Sequence, residues 1–260
     1  MTNSFARKAY RVARRAVFSV REARARQLAW RAFMEEFQLF AAEASRRGIG
    51  VPSKSDLYPC LSDRTAETEF EPHYTYHTAW ACRELQRLQP SKHVDIGSYL
   101  RFCAMASAWV PMVHIDFRRP NLHLEGLETR SGDILALPFA DGGVESLSCL
   151  HVLEHIGLGR YGDPLDPAGD LKGARELARI LAVGGALLFV VPVGRSRTNF
   201  NAHRVYAFEQ VTAMFPELRL VRWSLVPDDY SKGMIENAAP ALINAQEWGC
   251  GCFVFTKDSM

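Results

Sequence analysis

From residue 4 to about 46 the apolar positions keep helical spacing. Ala6, Tyr10, Ala13, Val17 and Val20 fall three and four apart, and after a weak patch near Arg24 the rhythm resumes with Trp30, Phe33, Phe37, Phe40 and Ala44. Such spacing gathers the residues on one helical face. Gly48, Gly50 and Pro52 end the segment. Residues 51–72 read as a loop, with Pro52, Pro59 and Pro72 set among Ser and Asp. A helix is expected over 75–88, stopping before Pro90. Beyond it, strand-like apolar runs (His93–Ile96, Met112–Ile115, Val144–Leu150, Ala186–Val193, Leu218–Val226 and Cys252–Thr256) alternate with helical stretches at Phe102–Val110, Leu171–Leu181 and Ala207–Phe215. Strands separated by helices predict an α/β fold with a doubly wound, largely parallel sheet covered on both faces. The chain is thus expected to hold a basic amphipathic helical extension (1–50), a linker with a lid-like helix (51–90) and an α/β domain (91–260).

Composition changes this picture in few respects. Hydrophobic content of 48% and charged content of 23% are ordinary for a globular protein with a sizeable core. No apolar run approaches the roughly 20 residues of a membrane-spanning helix, and no signal-peptide core stands near the start, so a cytoplasmic protein is expected. Six scattered cysteines, with no CxxC pair, point to a reducing compartment. Cys250 and Cys252 alternate along a strand and share a face; two small buried side chains are the preferred reading over a metal pair, and no metal is expected. Charge is uneven: residues 1–31 carry +8 and the rest −6. A basic arm on a mildly acidic body does not read as a nucleic-acid binder. Three readings of the arm stay open, in this order: packing on its own domain or on a second copy as a homodimer, a helix lying on an anionic membrane surface at the inner face, or a transit-peptide-like start.

Candidate chemistry sits where a parallel sheet binds ligands, beyond the carboxyl ends of its strands. The first strand ends in Asp95-Ile-Gly97-Ser98, the second in Ile115-Asp116, and Gly132-Asp133-Ile134 precedes the next. Leu150-His-Val-Leu-Glu154-His155 and Arg175-Glu-Leu-Ala-Arg179-Ile-Leu-Ala-Val-Gly184-Gly185 follow in order. In order and spacing this set resembles class I S-adenosylmethionine methyltransferases of the ubiquinone-methylase type, over roughly 90–258. Residues 55–258 resemble more closely a little-characterised branch, through Phe70-Glu-Pro-His73-Tyr74, His93-Val-Asp-Ile-Gly-Ser98, Glu154-His-Ile-Gly-Leu-Gly-Arg-Tyr-Gly-Asp-Pro164 and Asn201-Ala-His-Arg204. Members of that branch often occur among genes for bacterial surface polysaccharides.

The resemblance implies a Rossmann-like fold, S-adenosyl-L-methionine as cofactor and a small-molecule or glycan substrate. Cofactor contacts are expected from Asp95, Gly97, Ser98, Asp116, Asp133, Ile134, Leu150 and His151. Gly97 lets the backbone approach the methionine end, Asp116 accepts the ribose hydroxyls, Asp133 accepts from the adenine amino group with Ile134 against the ring, and Leu150 and His151 line the methyl-donor end. The competing reading of Asp116 and Asp133 is a strand-end turn. The family's further loop glycines are replaced here by Tyr99 and Arg101; a left-handed Tyr99 would cost about 1–2 kcal/mol, so the loop is expected to take another path.

An oxygen acceptor also needs a base, and histidine is the default near neutral pH. His203 is the first candidate, with a loop-bracing role as the competing reading, in the polar loop 195–206 that is expected to face the cleft, with Asn199, Asn201 and Arg204 beside it for a hydroxylated substrate. His155 is the second, against a structural role. For Tyr74, with His73 and Tyr76, the resemblance implies a lid over the cofactor; an aromatic plug under the loop is the competing reading. Asp163 and Asp166 read as turn carboxylates and Asp170 as a helix cap. Two functions follow: O-methylation of a sugar hydroxyl in surface-glycan biosynthesis, or a non-catalytic relative that binds a ligand or partner.

Overall fold

The computed structural model describes residues 2–259, with side chains from residue 21 onward. The chain divides into two compact units, residues 1–69 and 70–260. In the first, helix α1 runs over Thr2–Arg46 and the chain turns at Gly48. The apolar face expected of Ala6, Tyr10, Ala13, Val17 and Val20 lies outside the described side chains. Farther along, Trp30 packs on Phe33 at 5.6 Å, while Leu39 and Phe40 face outward. Arg64 pairs with Glu36 through both guanidinium nitrogens.

The second unit opens with α2 (Pro72–Leu88), capped by the Glu71 carboxylate on the Tyr74 amide. It then builds β1 (His93–Ile96), α3 (Leu100–Ala106), β2 (Met112–Asp116), β3 (Leu127–Ser131), β4 (Val144–Leu150), α4 (Gly169–Ile180) and β5 (Leu181–Val193). After these come β6 (Arg197–Asn199), β7 (His203–Val205), α5 (Phe208–Ala213), β8 (Arg219–Val226), β9 (Ile235–Glu236), α6 (Pro240–Asn244) and β10 (Gly249–Thr256). One eight-stranded sheet has the order β3-β2-β1-β4-β5-β10-β8-β9; β6 and β7 form a separate hairpin. β3, β2, β1, β4 and β5 are mutually parallel, and β10 inserts antiparallel between β5 and β8. The doubly wound, largely parallel sheet is therefore present.

Both faces are covered because the central strands are apolar on both sides. One face carries Phe189, Phe215, Phe253 and Leu177 against α4 and α5; the other carries Leu188, Val190, Phe102 and Trp80 against α2 and α3. The expected linker-and-lid segment 51–90 is split by the unit boundary. α2 belongs to the sheet-bearing unit, since its buried face (His73, His77, Trp80, Ala81, Leu85) packs on that sheet. The stretch 195–206, expected as a loop, is the β6–β7 hairpin. Asp170 is not a helix cap; that position is Ala168, and Asp170 lies buried in the first turn of α4.

Candidate active site

Strand register brings the first polar groups together. Asp95 stands level with His114 of β2 and with Ser148 of β4. Its carboxylate accepts from His114 Nδ1 at 2.8 Å, from Ser148 Oγ at 2.5 Å and from the Ser98 amide at 3.1 Å. Because Ser148 donates to Asp95, its oxygen accepts from His93 Nε2 at 2.9 Å, and His93 Nδ1 accepts from Ser146 at 2.7 Å. His93 is therefore neutral, and its burial pushes its pKa down to about 4. Burial alone would raise Asp95, but His114, Ser148 and Ser98 hold it below the usual carboxylate range; His114 rises against its own burial because Asp95 faces it. Fully buried and with both oxygens occupied, Asp95 braces the loop and lines neither cavity described below. That corrects the expectation of direct cofactor contact.

Gly97 takes φ +66°, and a Cβ there would stand 3.1 Å from Val152 Cγ1 and 3.9 Å from Asp116 Oδ2. Tyr99 has φ −58° at the start of α3, so it carries no left-handed strain. Ser98 is buried, its Oγ accepting from the Leu150 amide at 2.9 Å, which ties the β1 loop to the end of β4.

Two adjoining cavities open beyond these strand ends. The inner one, about 220 Å³, is lined by Asp116, Asp133, Ile134, Leu135, Ile156 and Asp163, among others. The outer one, about 470 Å³, is lined by Tyr74, Ser98, Tyr99, His114 and Leu150. Gly97, Asp116, Arg118, His151, His155 and Tyr161 border both. Asp116 Oδ1 accepts from the Arg118 amide at 2.7 Å, the turn role, while Oδ2 lies 4.0 Å from His114 Nε2 beside Gly97. Asp133 likewise accepts from the Leu135 amide at 2.9 Å and stays exposed. Each carboxylate thus makes its turn and keeps one oxygen at the cavity.

His151, Glu154 and His155 close the end of β4. His151 has φ +57° and donates from Nδ1 to Glu154 Oε1 at 2.8 Å. Burial opposes a charge on His151, but Cys250 and Glu154 beside it raise its pKa to about 10. His155 Nδ1 lies 2.6 Å from the Ala202 carbonyl, which only accepts, so Nδ1 carries the proton and Nε2 offers a lone pair. That Nε2 is 3.7 Å from Glu154 Oε1.

The candidates on 195–206 do other work. His203 Nε2 accepts from Asn199 Nδ2 at 2.8 Å, its ring packs on Trp248 at 4.0 Å, and it lines neither cavity. Asn201 is the hairpin turn, at φ +33°. Arg204 is buried, donating to the Ile156 and Pro167 carbonyls and pairing with Asp170 at 3.4 Å. The expectation that His203, Asn199, Asn201 and Arg204 face the cleft is thus corrected: Asn199 and His203 bond one another within the hairpin, Arg204 ties it to the 156–170 stretch, and the Ala202 carbonyl faces His155. Tyr74 does border the outer cavity, against Tyr99 at 5.1 Å and His151 at 5.7 Å.

Sequence reasoning missed three residues. His114 is two positions before Asp116, so strand alternation puts both on one face, a usable signal. Arg118 and Tyr161 carry no sequence signal of their meeting, yet the Arg118 guanidinium lies 4.5 Å from the Tyr161 ring centre and Arg160 lies 5.1 Å from it. Tyr161 belongs to the segment 157–168. There Asp163 accepts from the amides of Gly157, Gly159 and Tyr161, and Asp166 from Ala168 and Lys172. Both are the turn carboxylates expected.

A family model described as "Caenorhabditis protein of unknown function, DUF268" matches residues 143–223, from the edge of β4 into β8. No curated protein matches the chain. Among solved structures, the YcgJ protein of Bacillus subtilis is similar at a TM-score of 0.50 and 16% identity, over 71% of this chain and 99% of that one. NodS, an N-methyltransferase of Bradyrhizobium japonicum in complex with S-adenosylhomocysteine, matches at 0.50 and 16%, over 77% and 92%. The 1,6-didemethyltoxoflavin-N1-methyltransferase of Burkholderia thailandensis, with 1,6-didemethyltoxoflavin and S-adenosylhomocysteine bound, matches at 0.50 and 12%, over 70% and 79%. The chain therefore has the Rossmann-like fold of class I methyltransferases.

Proposed function

We propose that the protein is an S-adenosylmethionine-dependent methyltransferase that acts on a hydroxyl, with a sugar of a surface glycan or its nucleotide-linked precursor as acceptor. The observation that carries this reading is the pair of adjoining cavities at the strand ends, with Asp116 and Gly97 on their common border and His155 Nε2 free beside them. The residues fit the cofactor. The inner cavity offers the Asp133 carboxylate next to apolar Ile134 and Leu135 for adenine, and Asp116 for the ribose. Where Gly97 lacks a Cβ the backbone is open to the methionine end, and Tyr74 and Tyr99 bring π faces suited to a sulfonium charge.

The cofactor supplies an activated methyl group when bound. The chain holds the acceptor in line, and His155 Nε2 takes the hydroxyl proton as the new O–C bond forms. The Glu154 carboxylate, 3.7 Å away, stabilises the imidazolium that results, and the Ala202 carbonyl holds the ring's other nitrogen. Aromatic Tyr74, Tyr99 and Tyr161 with Arg118 give the outer cavity the stacking and polar groups that sugars engage. Among the described residues no helix is long and apolar enough to cross a membrane. The same proposal puts the enzyme in the cytoplasm, with α1 as a peripheral contact to an anionic membrane or as a homodimer element, and no nucleic-acid partner.

Calorimetric titration with S-adenosylhomocysteine tests the cofactor assignment. Micromolar or tighter binding is expected, and ligand at about 100 times Kd should add about 2.7 kcal/mol of stability. No heat and no thermal shift at millimolar ligand would leave the fold without the activity. Binding without transfer of labelled methyl to any glycan or nucleotide-sugar acceptor would favour a non-catalytic ligand-binding protein.

A further inference from the structure

Behind His151, on the side of α2 and β10, lies a cluster that methyl transfer does not use. His73 and His77 stand one helical turn apart on α2, His151 ends β4, and Cys250 and Cys252 lie on β10; all are buried. The His73 ring stacks on His151 at 5.4 Å, and His77 lies 5.0 Å from His151. One nitrogen of each stacked histidine is already committed to an acceptor. His73 Nε2 donates to the Trp248 carbonyl at 3.0 Å and His151 Nδ1 to Glu154 at 2.8 Å. Neither remaining nitrogen, His73 Nδ1 or His151 Nε2, is committed to an acceptor, and His151 Nε2 has no hydrogen-bond partner. The three side chains His73, His151 and Cys250 each offer a ligand atom within 4.8 Å of the others.

We propose that His73, His151 and Cys250 bind a zinc ion, with His77 beside His151 and Cys252, whose Sγ lies 3.9 Å from Cys250 Sγ, the side chains adjoining the fourth position. A second observation points the same way. Buried side-chain polar atoms without a hydrogen-bond partner are few among the described residues. They are both nitrogens of His77, Nε2 of His151, Oε2 of Glu154 and the Thr256 hydroxyl, so all but the last belong to this cluster or touch it. Leaving such groups dry is unfavourable, and a metal ion would give His151 Nε2 the partner it lacks. Histidines whose second nitrogen donates to a carboxylate or carbonyl are oriented as metal ligands usually are.

The donor set selects the metal. Imidazole and thiolate suit zinc, whereas calcium and magnesium want oxygen. A tetrahedral zinc site sets ligand atoms about 3.5 Å apart, within reach of small side-chain rotations. Binding would displace the Cys250 thiol proton and the proton on His151 Nε2, both passing to solvent, and would join α2, β4 and β10. The cluster Asp95, Cys103 and His114 is as compact. It makes a contrast, because its groups already satisfy one another.

The test uses the full chain stripped with a chelator, and it does not depend on methyl transfer. Titrated Zn²⁺ should bind one equivalent with release of about two protons, from Cys250 and His151, and raise the melting temperature. Co²⁺ should give tetrahedral d–d bands and a thiolate-to-metal charge-transfer band, both displaced by Zn²⁺. Cys250→Ser should abolish the charge-transfer band and Cys103→Ser should leave it intact. His73→Ala keeps the thiolate and should weaken binding by about 10–100-fold, which serves if Cys250→Ser fails to fold. Absence of Zn²⁺ binding, Co²⁺ binding without a thiolate band, or a band lost in Cys103→Ser but kept in Cys250→Ser would each overturn the proposal.

Discussion

At the scale of single residues, the carboxylates at strand ends do two jobs at once. Asp116 spends one oxygen on the Arg118 amide and keeps the other at the cavity. Asp116→Ala should therefore weaken S-adenosylhomocysteine binding tenfold or more, about 1.4 kcal/mol, and also cost a little apo stability through the lost turn. A large drop in melting temperature with unchanged affinity would reduce Asp116 to a turn residue. The histidines separate more sharply. His155→Ala should cut single-turnover methyl transfer by about 10²–10⁴-fold with cofactor affinity level. His203→Ala should act only through slack in the hairpin that presents the Ala202 carbonyl, a much smaller effect. The reverse ranking in rapid-quench transfer would return the base to His203. The place of Asp116, Asp133 and Gly97 at the cavities was legible because strand ends in a parallel sheet are where ligands bind. Which of the two roles open to His203 holds was not legible, because a polar run reads alike whether its groups face a ligand or one another.

At the scale of elements, the long apolar strands and α2 announce themselves by period, whereas β6 and β7, three residues each, are too short to show one. β3, with Leu127 and Thr129 inward and polar neighbours outward, carries too weak an alternation to be told from a loop. The segment 157–168 beside the inner cavity is held by backbone geometry that no apolar pattern encodes. Gly157 at φ +79° stands so close to Asp166 that a Cβ would lie 2.0 Å from its carbonyl oxygen; Gly162, at φ +86°, has open space around it. Both substitutions to alanine impose left-handed strain of about 1–2 kcal/mol, but only Gly157→Ala must also push the backbone aside. It should loosen this segment, exposing it to limited proteolysis and lowering S-adenosylhomocysteine affinity, while far-ultraviolet dichroism stays level. Equal effects from the two variants would show that the close approach to Asp166 is unimportant.

At the scale of the whole molecule, buried histidines set the acid limit of stability. His93 stays neutral in the fold down to about pH 4, while an unfolded histidine takes its proton near pH 6.5. The unfolded state thus holds one more proton across that window, and stability falls as pH drops, by about 1.4 kcal/mol per pH unit. His114 acts in the opposite sense, since its raised pKa adds stability below about pH 6.5 that is lost as pH climbs through the folded value. Chemical denaturation between about pH 4 and 6.5 should show His93→Gln with a flatter pH slope than the native chain, by about one proton; an unchanged slope would place the acid sensitivity elsewhere. The position of β10 carries a different consequence. It is the last strand of the sheet in chain order, yet it sits in the middle, pairing with β5 from Gly249 to Thr256 on one edge and with β8 on the other. While the ribosome is still making residues 249–256, β5 and β8 have no partner between them, and the apolar faces they share stay wet. Such unpaired edges invite aggregation. The nascent protein therefore has reason to need a chaperone until its final strand emerges, and a frameshift near residue 248 should destroy the whole sheet rather than trim it.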